Sequence, residues 1–327
     1  EMDLICLGSI LIHTLSNSFG IICNALLIFL VLKKIPQQLK TYSILIFNFA
    51  LCDLFACSAA VLLQERVTSG GKQIYFIFHG PCRLVGSEFC FVIHSFALHC
   101  YAHTLWSLLL SFSYRFYVLM RTPSNNSVVV AIILVMYLPS LLQFISYCFA
   151  NEKEAELKVL IEENFGYDVR SECVGGIKNI LSWSSLPTTL HMTLPATPIY
   201  IAIHVIRKLT ISLLDMGLVM SENSRRIHSQ LLQALTVQAC LPVFVVLAAI
   251  LYAIEQLDII RHPLLEYSCF ILVGVIPVLS PLTSFLFIRP YNIWIQETLL
   301  RRHKLSTTMK VSTVASSARR SDLNIML

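Results

Sequence analysis

An all-α membrane protein with seven crossings is the fold class this sequence predicts, and three observations predict it. Of the 327 residues 56% are hydrophobic and 13% charged, about half the charged share of a soluble domain at roughly 25%. Seven apolar stretches each reach the roughly 20 residues that a spanning helix needs. Lys and Arg gather in alternate connections between them. A buried core does not require a mean hydropathy of +0.71; an element whose whole circumference meets lipid or packed helices does.

The first stretch runs from Leu4 to Leu32. Glu1 and Asp3 stand where a signal peptide has basic residues, and the run is too long for an h-region, so it reads as a first span. The chain opens on Glu1 rather than Met, as a truncated terminus would. Lys33, Lys34, Pro36 and Lys40 separate it from the second run, Thr41 to Leu63. The third, Glu88 to Leu119, carries no charge between Glu88 and Arg115, and Arg121-Thr-Pro123-Ser-Asn-Asn ends it. Val128 to Phe149 is the fourth. Pro187, Pro195 and Pro198 interrupt the fifth, Leu186 to Ile206, which a membrane helix tolerates where neighbours satisfy the freed carbonyls. Leu231 to Tyr252 and Leu265 to Ile288 are the sixth and seventh.

The longest connection, Asn151 to Ser182, is acidic, and Glu154 to Glu163 within it reads as a short helix or a solvated loop. Tyr291 to His303 sets Ile293, Trp294, Leu299 and Leu300 against Gln296, Glu297, Arg301 and Arg302, the pattern of an interfacial helix. The domain division is therefore a bundle over 1–303, closing on this helix at 291–303, and a Ser- and Thr-rich tail at 304–327 with no core to fold around. With the amino terminus outside and the carboxyl terminus inside, the inner connections hold sixteen of the 24 Lys and Arg, which fits the positive-inside rule. The net charge of +5 thus reads as membrane-surface charge rather than a nucleic-acid footprint. The sequon at Asn125 then falls inside and stays unmodified. The eleven cysteines lie mostly in apolar runs, where a thiol is a small hydrophobe.

Polar groups inside apolar runs are where function is sought. Asp53 lies near the middle of the second run, and Asn24 sits at a depth that lets its amide meet it. A proton or sodium site and a structural clamp between helices both fit that pair. In the third run His99, His103 and Trp106 share one helical face, and His94 and Tyr101 share another. Histidines four apart can bind a metal, but no third ligand accompanies them, so no metal is expected. The remaining readings are interhelical hydrogen bonds and a ligand pocket, with Tyr101 first among contacts and His94, Leu98, His191 and Tyr267 after it. Arg115, set among Tyr114, Phe116 and Tyr117, either snorkels to the interface or faces a cavity that accepts a partner's helix; Pro242, Pro277 and Pro281 offer the bends such a movement needs. No Gly-rich phosphate loop, catalytic carboxylate pair or nucleophile elbow is present, so neither an enzyme nor a cofactor is expected.

Asn24, the Asn48-Phe-Ala-Leu-Cys-Asp53-Leu run and Arg115 resemble the pattern of rhodopsin-like G-protein-coupled receptors. His79-Gly-Pro-Cys82, His99-Cys-Tyr-Ala-His103-Thr-Leu-Trp106 through Tyr117, and Ser280-Pro281-Leu-Thr-Ser-Phe-Leu-Phe-Ile-Arg289-Pro290-Tyr291 look like the nematode serpentine chemoreceptors of class delta. The resemblance spans Leu4 to Tyr291. It implies a multi-pass cell-membrane receptor that binds a small chemical cue between the outer halves of the helices and signals through a heterotrimeric G protein, with lipid as its other partner. It also implies a disulfide from Cys90 to Cys173, with Cys82 the rival partner. Ser113 and Tyr114 replace the acid that usually precedes the arginine, no tyrosine follows Ser280-Pro281, and no tryptophan precedes Pro242. The competing classes are a ligand-gated channel, which has the reverse topology, and a transporter, which calls for inverted repeats.

Overall fold

The computed structural model describes residues 2–33, 40–121, 124–216 and 222–298. Residues 299–303 of the expected interfacial helix and the 304–327 tail lie outside the described residues. Among the described residues eleven α-helices and three strands follow one another: α1 (Met2–Lys33), α2 (Lys40–Leu63), β1 (Glu65–Gly70), β2 (Gln73–Phe78), α3 (Ser87–Met120), α4 (Asn126–Cys148), α5 (Glu154–Phe165), β3 (Cys173–Ile177), α6 (Leu186–Thr193), α7 (Ala196–Asp215), α8 (Glu222–Gln238), α9 (Val243–Gln256), α10 (Pro263–Phe287) and α11 (Arg289–Thr298). Among the described residues six helical stretches are long and apolar enough to cross a membrane. The seventh column is α3, whose 34 residues extend about 51 Å at 1.5 Å per residue. It packs on α2, α4 and α7 at the centre of the bundle. Leu4 and Ile22 on α1, Leu138 and Leu142 on α4 and Val246 and Ile250 on α9 stand exposed, an arrangement that lipid supports and water does not.

Prolines divide two columns, as their sequence positions foretold. The fifth splits into α6 and α7 around Pro195, and the sixth into α8 and α9 ahead of Pro242. Pro242 has no N–H to give to Gln238, and the chain tightens there into three-residue steps, Cys240 N to Val237 O at 3.0 Å and Leu241 N to Gln238 O at 3.1 Å. In α10, Pro277 and Pro281 sit within a continuous helix. There Asn24 Nδ2 donates to the Pro277 carbonyl at 2.9 Å.

One end of the bundle is closed by a sheet that the sequence reading did not foresee. Its order is β1-β2-β3, all antiparallel, with Val67 opposite Phe76 and Phe76 opposite Gly175. Gly71 holds φ +61° in the tight turn from β1 to β2, a conformation glycine adopts without strain. The run Ile74-Tyr-Phe-Ile-Phe78 is apolar throughout because both its faces are covered. Phe76 and Phe78 pack into the bundle with Phe91 and Ala97. Tyr75 and Ile77 pack outward beneath Leu157 and Ile161 of α5. Gly80 brings the exit of β2 against α2, where a Cβ would meet the Leu62 carbonyl oxygen. The opposite end of the bundle carries Arg115 and α11, whose Tyr291 is fully buried.

Candidate functional site: a cavity between a stapled lid and a buried arginine

A cavity of about 520 Å³ lies within the bundle, between α2, α3, α6, α7, α9, α10 and the end of α8. Leu98, Tyr101, Leu105 and Leu108 form its α3 wall, Phe270, Val273 and Pro277 its α10 wall, and Asp53, Gln238 and Ser280 its floor. The lining is mostly apolar. Asp53 is 2% exposed and has one carboxylate oxygen without a partner among the described residues, as has the Tyr200 hydroxyl on the α7 side. Such a space suits a small molecule that is largely apolar and bears few polar atoms.

Three of the five sequence-derived contacts, Leu98, Tyr101 and His191, line this cavity. Trp106 Nε1 donates to His191 Nε2 at 2.9 Å, which leaves His191 Nδ1 to donate to Gln143 Oε1 at 2.6 Å. The other two stand on α3 and α10 and face the lid. His94 Nδ1 donates to Glu65 Oε2 at 2.7 Å, and Tyr267 hydrogen-bonds His79 at 3.2 Å. The His99 and His103 band serves contacts between helices. Asn48 Nδ2 donates to Ser107 Oγ at 2.8 Å and meets His103 Nε2 at 3.2 Å, while the His103 ring stacks on Tyr137 at 3.5 Å between centroids. Among the described residues no group of three or more His, Cys, Asp and Glu is placed to hold a metal. Asn24 does not meet Asp53: the Pro277 carbonyl, freed by the helix's proline at 281, takes its amide, and Ser280 stands beside Asp53.

The lid is stapled to the bundle by buried charges. Arg66 of β1 pairs with Glu266 of α10. Its guanidinium lies 4.6 Å from the Tyr167 ring centroid and 5.5 Å from that of Tyr267, and the Tyr167 hydroxyl donates to Glu266 at 2.9 Å. Burial, with Arg66 and Arg83 nearby, holds His79 below the ordinary imidazole value of 6.5, against the pull of Glu172. Cys90 is bonded to Cys82 and not to Cys173. The short turn at Pro81–Leu84 brings those two Cα atoms to 5.3 Å, within the range a disulfide spans. The Cys173 sulfur stands 4.0 Å from that of Cys90. Burial, with Glu154 close by, raises the Cys173 thiol to about 11, so it stays protonated and a poor nucleophile at neutral pH.

At the opposite end Arg115 is 2% exposed, so it does not snorkel. Its guanidinium meets His228 Nδ1 of α8 at 3.0 Å and lies 5.2 Å from the Tyr42 ring centroid of α2. A neutral histidine on another helix thus occupies the place that the missing acid beside Arg115 left open. Pro242 and Pro281 sit where the cavity floor meets these elements, Pro242 in its lining and Pro281 buried behind it.

A family model described as serpentine type 7TM GPCR chemoreceptor Srd matches residues 9–297. The chain belongs to this family of chemoreceptors. Among its relatives in Caenorhabditis elegans, serpentine receptor class delta-18 is 38% identical over 279 residues, covering 84% of this chain and 83% of the relative. Serpentine receptor class delta-3 is 36% identical over 316 residues, covering 92% of each. Squid rhodopsin superposes with a TM-score of 0.66 over 91% of this chain and 86% of its own, at 13% identity, a likeness of fold alone. The protein is a seven-transmembrane chemosensory receptor of the cell membrane, and not an enzyme.

The receptor's lid residues Glu65, Arg66 and Glu266 escaped the sequence reading, as did His228 and Tyr200. The Gly70-Gly71 pair ahead of an all-apolar run was the available signal for the hairpin. No local pattern signals the pairing of Arg66 with an acid 200 residues away.

Proposed function

We propose that the receptor binds a small, largely apolar chemical cue in the cavity beneath the sheet and signals through a heterotrimeric G protein at the Arg115 end. The observation that carries this reading is the largely apolar cavity on which Tyr101, Leu98 and His191 converge. In this reading the amino terminus and the sheet face outward and the carboxyl terminus inward, in keeping with the placement of Lys and Arg. The cue presses on α7 and α9, which flank the cavity, and the proline breaks at 195 and 242 transmit that pressure to α8. Arg115 is then released from His228, and its partner is the G protein. Asp53 with Ser280, and Asn24 with the Pro277 carbonyl, keep α1, α2 and α10 in register while α6 to α9 shift. The segment Arg289–Thr298 lies along the inner leaflet, with Trp294 packed beside Phe29 of α1.

The test is a chemical panel applied to cells expressing the full chain with a promiscuous G protein. Cues that evoke a response should lose potency in Leu98→Trp, which fills the cavity, and in Tyr101→Ala, at unchanged surface expression. Responses untouched by both substitutions would overturn the site.

A further inference from the structure

The cavity has a side door and no front door. At the sheet end a ligand from water would have to part the Arg66–Glu266 pair and the Glu65–His94 bond and displace Phe76, whose ring lies 4.1 Å from that of His94 and 6.2 Å from that of Phe270. Glu65, Arg66, Phe76, His94 and Glu266 are all buried, and α5 covers the sheet above them. The side between α7 and α9 is different. Cys240, Val243, Val245 and Val246 line the cavity and are also exposed on the outside of the bundle, Val246 at 57%. Here α7 packs on α3 and α9 packs on α10, so the two helices flank a seam. The seam is apolar, and it opens at the depth of a hydrocarbon layer because the α8–α9 break lies mid-column.

We infer that the ligand enters sideways from the bilayer, through the seam between α7 and α9, and is a neutral, lipid-partitioning molecule with a single hydrogen-bonding group that the Tyr200 hydroxyl receives. This rests on the reading of the cavity as the ligand site. Bilayer entry suits the lining: each buried methylene favours the apolar phase by about 0.8 kcal/mol, so the membrane concentrates such a molecule at the seam. A charged ligand would cross neither the hydrocarbon nor the valine rim. Tyr200 is the polar group on the seam side whose hydroxyl is buried with no partner among the described residues.

The test uses the full chain in lipid vesicles loaded with an alkyl diazirine that dissolves in the hydrocarbon, followed by photolysis and peptide mapping. Phe49 and Leu108 line the cavity yet are buried from the surface, so both should be labelled. Val246→Trp, on the exposed rim where a larger side chain has room, narrows the seam and should lower that labelling several-fold while Leu138 and Leu142 on α4 stay labelled as before; Cys240→Trp is the second variant. Unlabelled Phe49 and Leu108 in the wild type, or labelling that ignores both rim variants, would overturn the route. So would equal labelling by a charged, water-soluble diazirine added from the sheet side. Rim-dependent labelling in a receptor whose cue responses ignore Tyr101→Ala would sink the ligand site and leave the route standing.

Discussion

Two halves of this bundle are built differently. In the half made of α1, α2, α3 and α10 the spans bury deeply against one another: 56% of the α2 span and 44% of the α10 span lie inside the protein, and α3 packs on α2. In the half made of α6 to α9 the shares fall to 17% and 11%. The first half holds its polar groups in cross-helix bonds, such as Asn24 to Pro277, and anchors the lid through Arg66 and Glu266. The second is cut by prolines, lines most of the cavity's open side, and touches the first through few polar contacts, among them Arg115 with His228 and Gln238 with the Ser280 carbonyl at 3.3 Å. Helices with little buried apolar contact are the ones that move at small cost. The contrast assigns a frame to one half and the moving parts to the other.

The largest effect should come from breaking the frame's staple. Glu266→Ala strands the Arg66 guanidinium in a buried site, which costs about 3–5 kcal/mol. Surface expression and thermal stability in detergent should collapse, whereas the double variant Arg66→Met/Glu266→Leu should recover much of both. An Arg66→Met/Glu266→Leu receptor as unstable as Glu266→Ala would show that the pair holds more than the lid.

Next comes the latch between the halves. A hydrogen bond to a charged group contributes about 1.5–3 kcal/mol, so His228→Ala should raise basal signalling about tenfold or more as the inactive arrangement loses its tie. His228→Asn, which keeps an acceptor, should restore part of the silence. Unchanged basal signalling in both would remove His228 from the switch.

A smaller, pH-dependent effect belongs to His79. Burial holds its folded pKa below 6.5, so the fold favours the neutral ring. Stability is then complete above about 6.5 and falls as pH drops below it, because the unfolded chain takes up the proton first. The melting temperature should decline between pH 7 and 5, and His79→Gln should flatten that decline. The smallest effect is that of Cys173→Ser, which should leave expression and the Cys82–Cys90 peptide intact in non-reducing maps; a Cys90–Cys173 peptide from the wild type would reverse the pairing.

Much of this contrast was legible in the residues. Apolar runs of spanning length located the columns, and Pro195 and Pro242 marked where the fifth and sixth break. Glu154 to Glu163 falls within α5. The lid was hidden because β2 is buried on both faces and so shows no alternation of apolar and polar residues. The site was only half visible for a related reason. Tyr101 and His94 look alike on one face of a helix, and what sends His94 into the lid is Glu65, on a strand whose position follows from tertiary packing. The same holds at Arg115: its local sequence shows that an acid is missing, but the histidine that answers it stands 113 residues away.

The central claim, that α8 moves against a fixed frame once Arg115 is released, is tested most directly by distances between spin labels in the full chain. Labels at Tyr117 on α3 and Gln233 on α8, both exposed, report across the two halves; labels at Leu32 on α1 and Tyr117 report within the frame. The claim predicts that His228→Ala lengthens and broadens the first distance and leaves the second unchanged. Two unchanged distances, or an equal shift in both, would contradict it.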